Sequence, residues 1–509
     1  MRPVLGVQRS SLGLRWARGR SAFWRLRLGP WRSAFWLLLL LPAFVHAASK
    51  PVLVHYMPWY VAKPYSAVWG WHWTMNHYNP DALNPDGTRP IASWYYPLIG
   101  PYDSADPVVL EYHVLLMRLG GVDGVIADWY GMDNYLDYGT INQRTLALRT
   151  WTEKAGLMFC LCYEDRTIQQ EVTGGFITAA NALAHAQRTL LYAQTNYFQT
   201  PNYLRWNNQP VLLNFGPQYF KNSADWQTLF SALEPAFRPA FFALDNRLAA
   251  GAGAFNWPPM WLSQANGGVL SVTQLLTYLA GFEQKASVES WPAFVSSAFP
   301  RFHDIYQQAG VGSSYGFLDD RNGDTFRLTL GRAFTNTAAL VQVVTWNDFG
   351  EGTIVEPTRE YGYRDLGMLQ DFRRQYLDPA FSRTTNDLAL PWRVYQSRRA
   401  HAGNAVVAAE LDAIFDNLVS GDLALAAARL TALESSRPLI HSVALNGQSL
   451  RFSAGGYLAA SGLEIQTSTT AAPDSWQTAA TLPVGTAPVL FTTNLSAGTP
   501  ALFFRLRNR

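Results

Sequence analysis

The chain has 509 residues, 48% of them apolar and only 15% charged, which excludes general disorder and allows a core larger than one ordinary domain needs. Its formal net charge of +3 comes from the first 33 residues, which hold eight Arg and no acidic residue. Without them the balance becomes −5 (3 − 8), which excludes a basic nucleic-acid-binding face and points to a neutral substrate.

The Arg-rich start is followed by the short apolar run Ala34 to Val45 and by small residues at Ala47 and Ala48. A basic region, a short apolar region and a small-residue cleavage point describe a signal peptide over residues 1–48. The run is too short to span a bilayer comfortably, so the expected product is an exported protein, periplasmic or extracellular, with no membrane span after cleavage. A monomer is expected.

From residue 49 to 395 short β-branched or aromatic runs alternate with longer amphipathic stretches, the rhythm of βα units around a parallel sheet. Eight strands are predicted, starting at Val52, Val122, Leu157, Pro210, Ala240, Gly253, Ala293 and Leu340. The count fits a (β/α)₈ barrel, an α/β fold. Helical patterns fill most gaps, among them Pro107 to Gly121 and Ile177 to Tyr197. The long connection Tyr60 to Ala105 is rich in Trp, Tyr, Pro and Gly, as expected of a binding wall or lid. Cys160 and Cys162 stand two apart in one strand, on the same face and badly placed for a disulfide, so two buried thiols are expected. Residues 396–438 read as a helical linker with a break at Ser420-Gly421-Asp422, and 439–509 as a small β-sandwich of unassigned role.

A barrel carries its chemistry at the C-terminal ends of its strands. Polar and aromatic residues there are His55, Tyr56, Trp59 and Tyr60 after the first strand, Asp128, Trp129 and Tyr130 after the second, and Glu164 and Asp165 after the third. Asn214 and Asp245 follow the fourth and fifth, His303 and Asp304 the seventh, and Asn347, Asp348, Glu351 and Glu356 the eighth. Carboxylates dominate, and no nucleophile elbow, P-loop or HExxH pattern competes with them. Paired carboxyls are what glycoside hydrolysis needs, one to protonate the leaving oxygen and one to act on water, the anomeric carbon or a neighbouring hydroxyl. Nineteen Trp in an aromatic content of 14% suit a groove for sugars, whose C–H faces stack on rings, although many of these rings will be core.

Asp348 and Glu351 are three apart, so a straight strand would turn them to opposite faces; Gly350 and Gly352 permit a bend that aims both inward. The alternative is that one caps a helix or pairs with Arg359 or Arg364. For Glu164 the alternative is an ion pair with Arg166, and for His55 and His303 a structural histidine. No cofactor and no metal are required by this chemistry; Asp320 to Thr325 (DRNGDT) is oxygen-rich but lacks a full calcium ligand set.

Five segments, HYMPWY (55–60), PIASWYYPLIGPYDSADPVVLEYH (90–113), GVDGVIADWYG (121–131), LCYEDRTI (161–168) and WNDFGEGTIVEPT (346–358), resemble glycoside hydrolase family 99 and its family 71/99-like relatives. The resemblance covers roughly Pro51 to Asp365. It implies a (β/α)₈ hydrolase of α-linked glycans, α-mannan or α-glucan type. In the family the last motif carries two glutamates three apart, the first deprotonating the substrate 2-hydroxyl and the second serving as acid/base. Carried over, Glu351 takes the acid/base role, while Asp348 stands where the family has its first glutamate. Aspartate is one methylene shorter, which sets its carboxylate about 1.5 Å further back. Activation of water in an inverting reaction, or a holding role, therefore stay open for Asp348. The resemblance also places Glu164 against the substrate. Rival readings are a glycan-binding protein on the same barrel and a transglycosylase.

Overall fold

The computed structural model describes residues 50–434 together with 439–446, 449–455, 463–470, 472, 475–482, 489–494 and 503–508. The expected signal peptide lies outside the described residues. Eight parallel strands form the core: β1 (Val52–Tyr56), β2 (Gly124–Trp129), β3 (Met158–Tyr163), β4 (Gln209–Asn214), β5 (Ala240–Leu244), β6 (Gly253–Phe255), β7 (Val295–Ala298) and β8 (Leu340–Val343). Each pairs with its sequence neighbours, and β1 pairs with β8 through Val52↔Val341, so the sheet closes on itself. All eight predicted strands are present in that order. A closed ring leaves no unpaired edge, which a sheet of this length would otherwise expose.

The strands are mostly apolar on both faces, since helices cover the barrel outside and its interior is largely apolar, with His55, Asp128, Ser297 and Gln342 among the buried polar exceptions. Between β1 and β2 runs α1 (Pro107–Gly120) and between β2 and β3 α2 (Tyr138–Lys154). The β3–β4 crossover holds α3 (Arg166–Thr173) and α4 (Ala182–Ala193), and β4–β5 holds α5 (Ser223–Ser231). The helices α6 (Val272–Val288), α7 (Asp324–Thr335) and α8 (Arg364–Tyr376) follow β6, β7 and β8. The β5–β6 connection has no helix, a departure from the ideal repeat.

Local sequence explains the sharpest boundaries. Asp106 caps α1 by accepting the Val108 amide at 3.0 Å, Pro107 occupies its first turn, where no amide is needed, and Gly121 ends it at φ +84. Arg373 of α8 then reaches the Gly121 carbonyl at 2.8 Å and Asp123 at 2.9 Å, tying the last helix to the start of β2.

Three further helices follow the barrel: α9 (Ala389–Ala400), α10 (Ala405–Ser420) and α11 (Leu423–Glu434), with Gly421 and Asp422 at the expected break. They do not form a free linker. Arg398 of α9 grips both oxygens of the buried Glu111 on α1, at 2.7 and 2.8 Å, and Arg399 bonds the capping Asp106. Trp151 of α2 meets Phe415 of α10 edge to face. At the end of the chain two antiparallel three-stranded sheets are present, one of Leu439–Asn446, Ser449–Gly455 and Val489–Asn494 and one of Leu463–Ser468, Gln477–Leu482 and Phe503–Asn508. Among the described residues no helix is long and apolar enough to cross a membrane.

Candidate active site

The site is built where β8 ends. After Val343 the chain leaves the sheet and folds into a turn in which the Asp348 carboxylate accepts the Glu351 amide at 3.0 Å and the Asp348 carbonyl accepts the Gly352 amide at 2.8 Å. The Thr345 hydroxyl accepts the Asp348 amide at 2.8 Å. The segment after β7 pins the turn from the side, His303 donating to the Glu351 carbonyl and Ile305 to that of Gly350. Gly352 sits at φ +69, and a Cβ there would lie 2.7 Å from the His303 carbonyl oxygen. Only glycine satisfies both demands. The bend brings both side chains to one cleft, which a straight strand could not do.

That cleft, about 990 Å³, opens at the C-terminal end of the barrel. Its floor holds His55, Asp128, Glu164, Asp348 and Glu351, and its walls are aromatic. Trp59 lies flat on His72 at 4.3 Å with Tyr130 beyond it, while Trp257 meets both His55 and Phe215 edge to face. The rings of Trp71, Trp261 and Tyr315 line the rim and remain exposed. The volume suits an oligosaccharide, with flat apolar surfaces for ring faces and acceptors for hydroxyls.

Burial and mutual repulsion shape the electrostatics. Loss of water raises Glu164 to about 7, with Asp165 and Asp348 adding to the shift and Arg166 opposing it. Burial also lifts Asp348 to about 7, although the amides of Glu351 and Gly350 stabilise its charged form. Glu351 is held well above the carboxylate range by burial, then by Asp348, Asp304 and Glu164, and its Oε2 has no hydrogen-bond partner among the described residues. Asp128 is raised in the same way, by burial and then by Glu164 and Asp348. Four carboxyls in one desolvated cleft cannot all ionise at neutral pH, so they share protons. Within the strand-8 pair Asp348 receives backbone amides and Glu351 has an orphan oxygen; Asp348 is the easier to ionise. Burial depresses His55 to about 4, so its imidazole is neutral.

The structure brings Glu351, Asp348, His55, Trp59, Tyr60, Asp128, Tyr130 and Glu164 to the cleft; Asn214, Asp245, His303 and Asp304 do not line it, and neither do five further predicted residues. Tyr56 points away from the barrel axis and bonds His113 at 3.0 Å. Trp129 likewise faces α2, its indole donating to Asn142. Asp165 is an anchor: its carboxylate accepts the amides of Gln218, Tyr219 and Phe220, fixing the loop that carries Phe215 and Gln218 to the cleft. Asn347 staples strand ends, accepting the Met57 amide and donating to the Met57 carbonyl and the Tyr102 hydroxyl. Glu356 is buried behind the turn, accepting Tyr102 at 2.7 Å beside His113. Each of Tyr56, Trp129, Asp165 and Asn347 adjoins a residue that does line the cleft; on β1 and β2 the alternation of extended backbone turns Tyr56 and Trp129 away, whereas Asp165 follows β3 in helical backbone and Asn347 lies in the bend after β8.

Several alternative roles fall away. Neither Asp348 nor Glu351 pairs with an arginine among the described residues; Arg364 is taken by Asp320 and Asp365, and Arg359 lies over Tyr96. No ion pair joins Glu164 to Arg166 among the described residues. His303 stacks on Trp94 at 4.6 Å, as a structural histidine. In DRNGDT the carboxylates are consumed by Arg364 and Arg327, and Asp320 also caps the turn before α7. Cys160 and Cys162 are buried free thiols, as expected.

No protein-family model matches the sequence. Over 94 residues, 17% of this chain and 21% of the relative, it is 31% identical to a Danio rerio protein described as glycoprotein endo-alpha-1,2-mannosidase-like. The chain thus spans about a fifth of the length of the curated relative it matches. The chain resembles glycoside hydrolase family 99. Among solved structures, two of the GH99 endo-alpha-mannosidase from Bacteroides thetaiotaomicron match at 18% identity with TM-scores of 0.46 and 0.47, covering 64% of this chain and 97% of theirs. A glycoside hydrolase-like protein matches at 13% identity and TM-score 0.47, over 64% of this chain and 94% of that one.

The family 99 resemblance did not reveal His72, Phe215, Trp257, Met260 or Tyr306, which also line the cleft. Trp257 and Met260 lie in the sixth predicted strand segment, where only their position past the strand end at Phe255 marks them. His72 sits in a single helical turn, Trp71–Thr74, inside the long first connection, and no local pattern signals its return to the strand ends.

Proposed function

We propose that this protein is an exported glycoside hydrolase acting on α-linked glycans, of α-mannan or α-glucan type. The observation that carries the reading is the convergence of Asp128, Glu164, Asp348 and Glu351 in one aromatic-walled cleft at the barrel mouth. The choice of α-linked substrates rests on the family 99 resemblance, and export rests on the composition of residues 1–48.

Glu351 acts as general acid/base, since burial and then neighbouring carboxyls raise its pKa well above the ordinary carboxylate range and favour its protonated form. Asp348, whose anion is stabilised by two backbone amides, acts as the base, on the substrate 2-hydroxyl or on water. Asp128, Glu164 and His55 accept or donate hydrogen bonds to sugar hydroxyls, and Trp59 and Tyr130 supply stacking faces. Burial raises both groups, but only the Asp348 anion receives backbone amides, and that difference is what an acid–base pair requires.

The test is an NMR time course with α-mannan and α-1,3-glucan oligosaccharides for wild type and Glu351→Gln. Wild type should release product and the variant should bind substrate with similar affinity while losing at least about 100-fold in rate, the usual range for a general acid. The first-formed anomer tells retention from inversion. Binding without product from either protein would replace the hydrolase by a glycan-binding protein.

A further inference from the structure

At the floor of the cleft, lined by His55 and Asp128, β1, β2 and β3 bring these two together with the thiol of Cys162 behind them, a set that the hydrolytic chemistry does not use. His55, Asp128 and Cys162 are all buried, and one ligand atom of each lies within 4.8 Å of the others. The strand register produces this. Asp128 stands opposite Cys162 in the β2–β3 pairing, and His55 opposite Ile126, two residues before Asp128 on the same face. Asp128 is 3% exposed, lines the cleft and bonds no side chain among the described residues.

The orientation of His55 follows from a chain of hydrogen bonds of fixed polarity. Ser297 donates its hydroxyl proton to the Asn256 carbonyl, so its oxygen accepts from the Gln342 amide nitrogen at 3.0 Å. That turns the Gln342 carbonyl oxygen toward His55 Nδ1, at 3.3 Å. An amide oxygen only accepts, so Nδ1 carries the proton and Nε2 keeps a free lone pair. Holding one imidazole nitrogen as a donor to orient the other is how proteins set a metal-ligating histidine.

The other histidine–carboxylate group, Asp133, Glu171 and His185, lacks this character. His185 Nε2 already meets Asp133 at 2.9 Å and Glu171 at 3.4 Å, and Arg188 occupies Nδ1 at 2.9 Å. Both ring nitrogens of His185 are therefore engaged, whereas His55 keeps Nε2 free.

We propose that His55 Nε2, an Asp128 carboxylate oxygen and the Cys162 sulfur form a binding site for a thiophilic divalent cation of the zinc class, with its fourth position open to the cleft. Nitrogen, oxygen and sulfur donors together select a borderline-soft ion over Mg²⁺ or Ca²⁺. On binding, the Cys162 proton passes to solvent as the metal–sulfur bond forms. Ligands at about 2.0–2.3 Å from a tetrahedral ion stand roughly 3.3–3.7 Å apart, so side-chain rotations of about 1 Å close the site. Glu164, Asp348 and Glu351 line the cleft around the site. The bound ion occupies the space above His55 and Asp128, and so excludes any ligand from the floor of the cleft. This inference does not depend on what the cleft hydrolyses.

The experiment is a Co²⁺ titration of the full chain followed by displacement with Zn²⁺. Cobalt–thiolate bonding gives a near-ultraviolet charge-transfer band, and the chain has only two Cys. Wild type and Cys160→Ser should both develop the band with one equivalent of Co²⁺ and lose it to Zn²⁺, and Cys162→Ser should show none. Gln342→Met, which leaves every ligand in place, should weaken Zn²⁺ by about 10–100-fold, as loss of an orienting partner does. Should Cys162→Ser fail to fold, Asp128→Asn keeps the thiol and should weaken Zn²⁺ at least about 10-fold. No band at saturating Co²⁺, a band that survives Cys162→Ser, or unchanged affinity in Asp128→Asn would overturn the site.

Discussion

Asp348 shows how a single residue ties function to stability. Its pKa is raised on folding, from an ordinary 3.8 to about 7, so between those values the folded protein binds more protons than the unfolded chain. Its contribution therefore favours folding below about pH 4 and is lost as pH rises through 7. Asp348→Asn removes the buried charge. The variant should melt close to wild type near pH 4 and be more stable by about 1–3 kcal/mol at pH 8. Thermal unfolding across pH gives the answer, and a variant less stable at pH 8 would mean that its amide hydrogen bonds outweigh its desolvation. Stabilisation with loss of turnover is the trade-off expected where a site holds carboxyls against repulsion. At the same scale, pairs of neighbours explain the misplaced site residues. His55 and Asp128 face the cleft from extended strands, so Tyr56 and Trp129 beside them face elsewhere, and that alternation was already present in the sequence as a filter; Asp165 and Asn347 lie past their strand ends, where it does not hold.

At the scale of elements, the grip of α9 on α1 is the junction most open to test. Glu111 is 2% exposed and its carboxyl is raised by burial even though Arg398 holds both oxygens. Desolvation thus competes closely with the ion pair. Arg398→Ala strands the Glu111 charge and should cost roughly 3–5 kcal/mol, while Arg398→Met with Glu111→Leu should recover most of that loss. Chemical denaturation of wild type and the two variants separates them; equal destabilisation by single and double changes would show that packing, not charge, holds the junction. The element reading from sequence succeeded where periodicity is strong, as in α1 with its Asp106 cap and Gly121 stop. It described residues 396–438, the end of α9 with α10 and α11, only as a linker, because Arg398 and Glu111 are 287 residues apart and nothing local announces their pairing.

For the molecule as a whole, those helices are part of the barrel's cover. A chain ended before Ala389 should be insoluble or melt far below the full protein, since Glu111, Asp106 and Trp151 would lose their partners together. Soluble expression and melting of the truncated form decide this, and a truncated chain that melts like the full one would make α9 to α11 an independent appendage. The sequence by itself determined the number and order of the strands, the buried thiols and the carboxylates at the strand ends, because these are written in local periodicity and residue type. It also placed Asp348 and Glu351 beside glycines that allow a bend. Tertiary structure alone decided that the bend occurs, which neighbours face the cleft, and that His72, Phe215, Trp257 and Tyr306 complete its walls. Ring closure and loop return set those contacts, and both depend on distances between residues far apart in the chain.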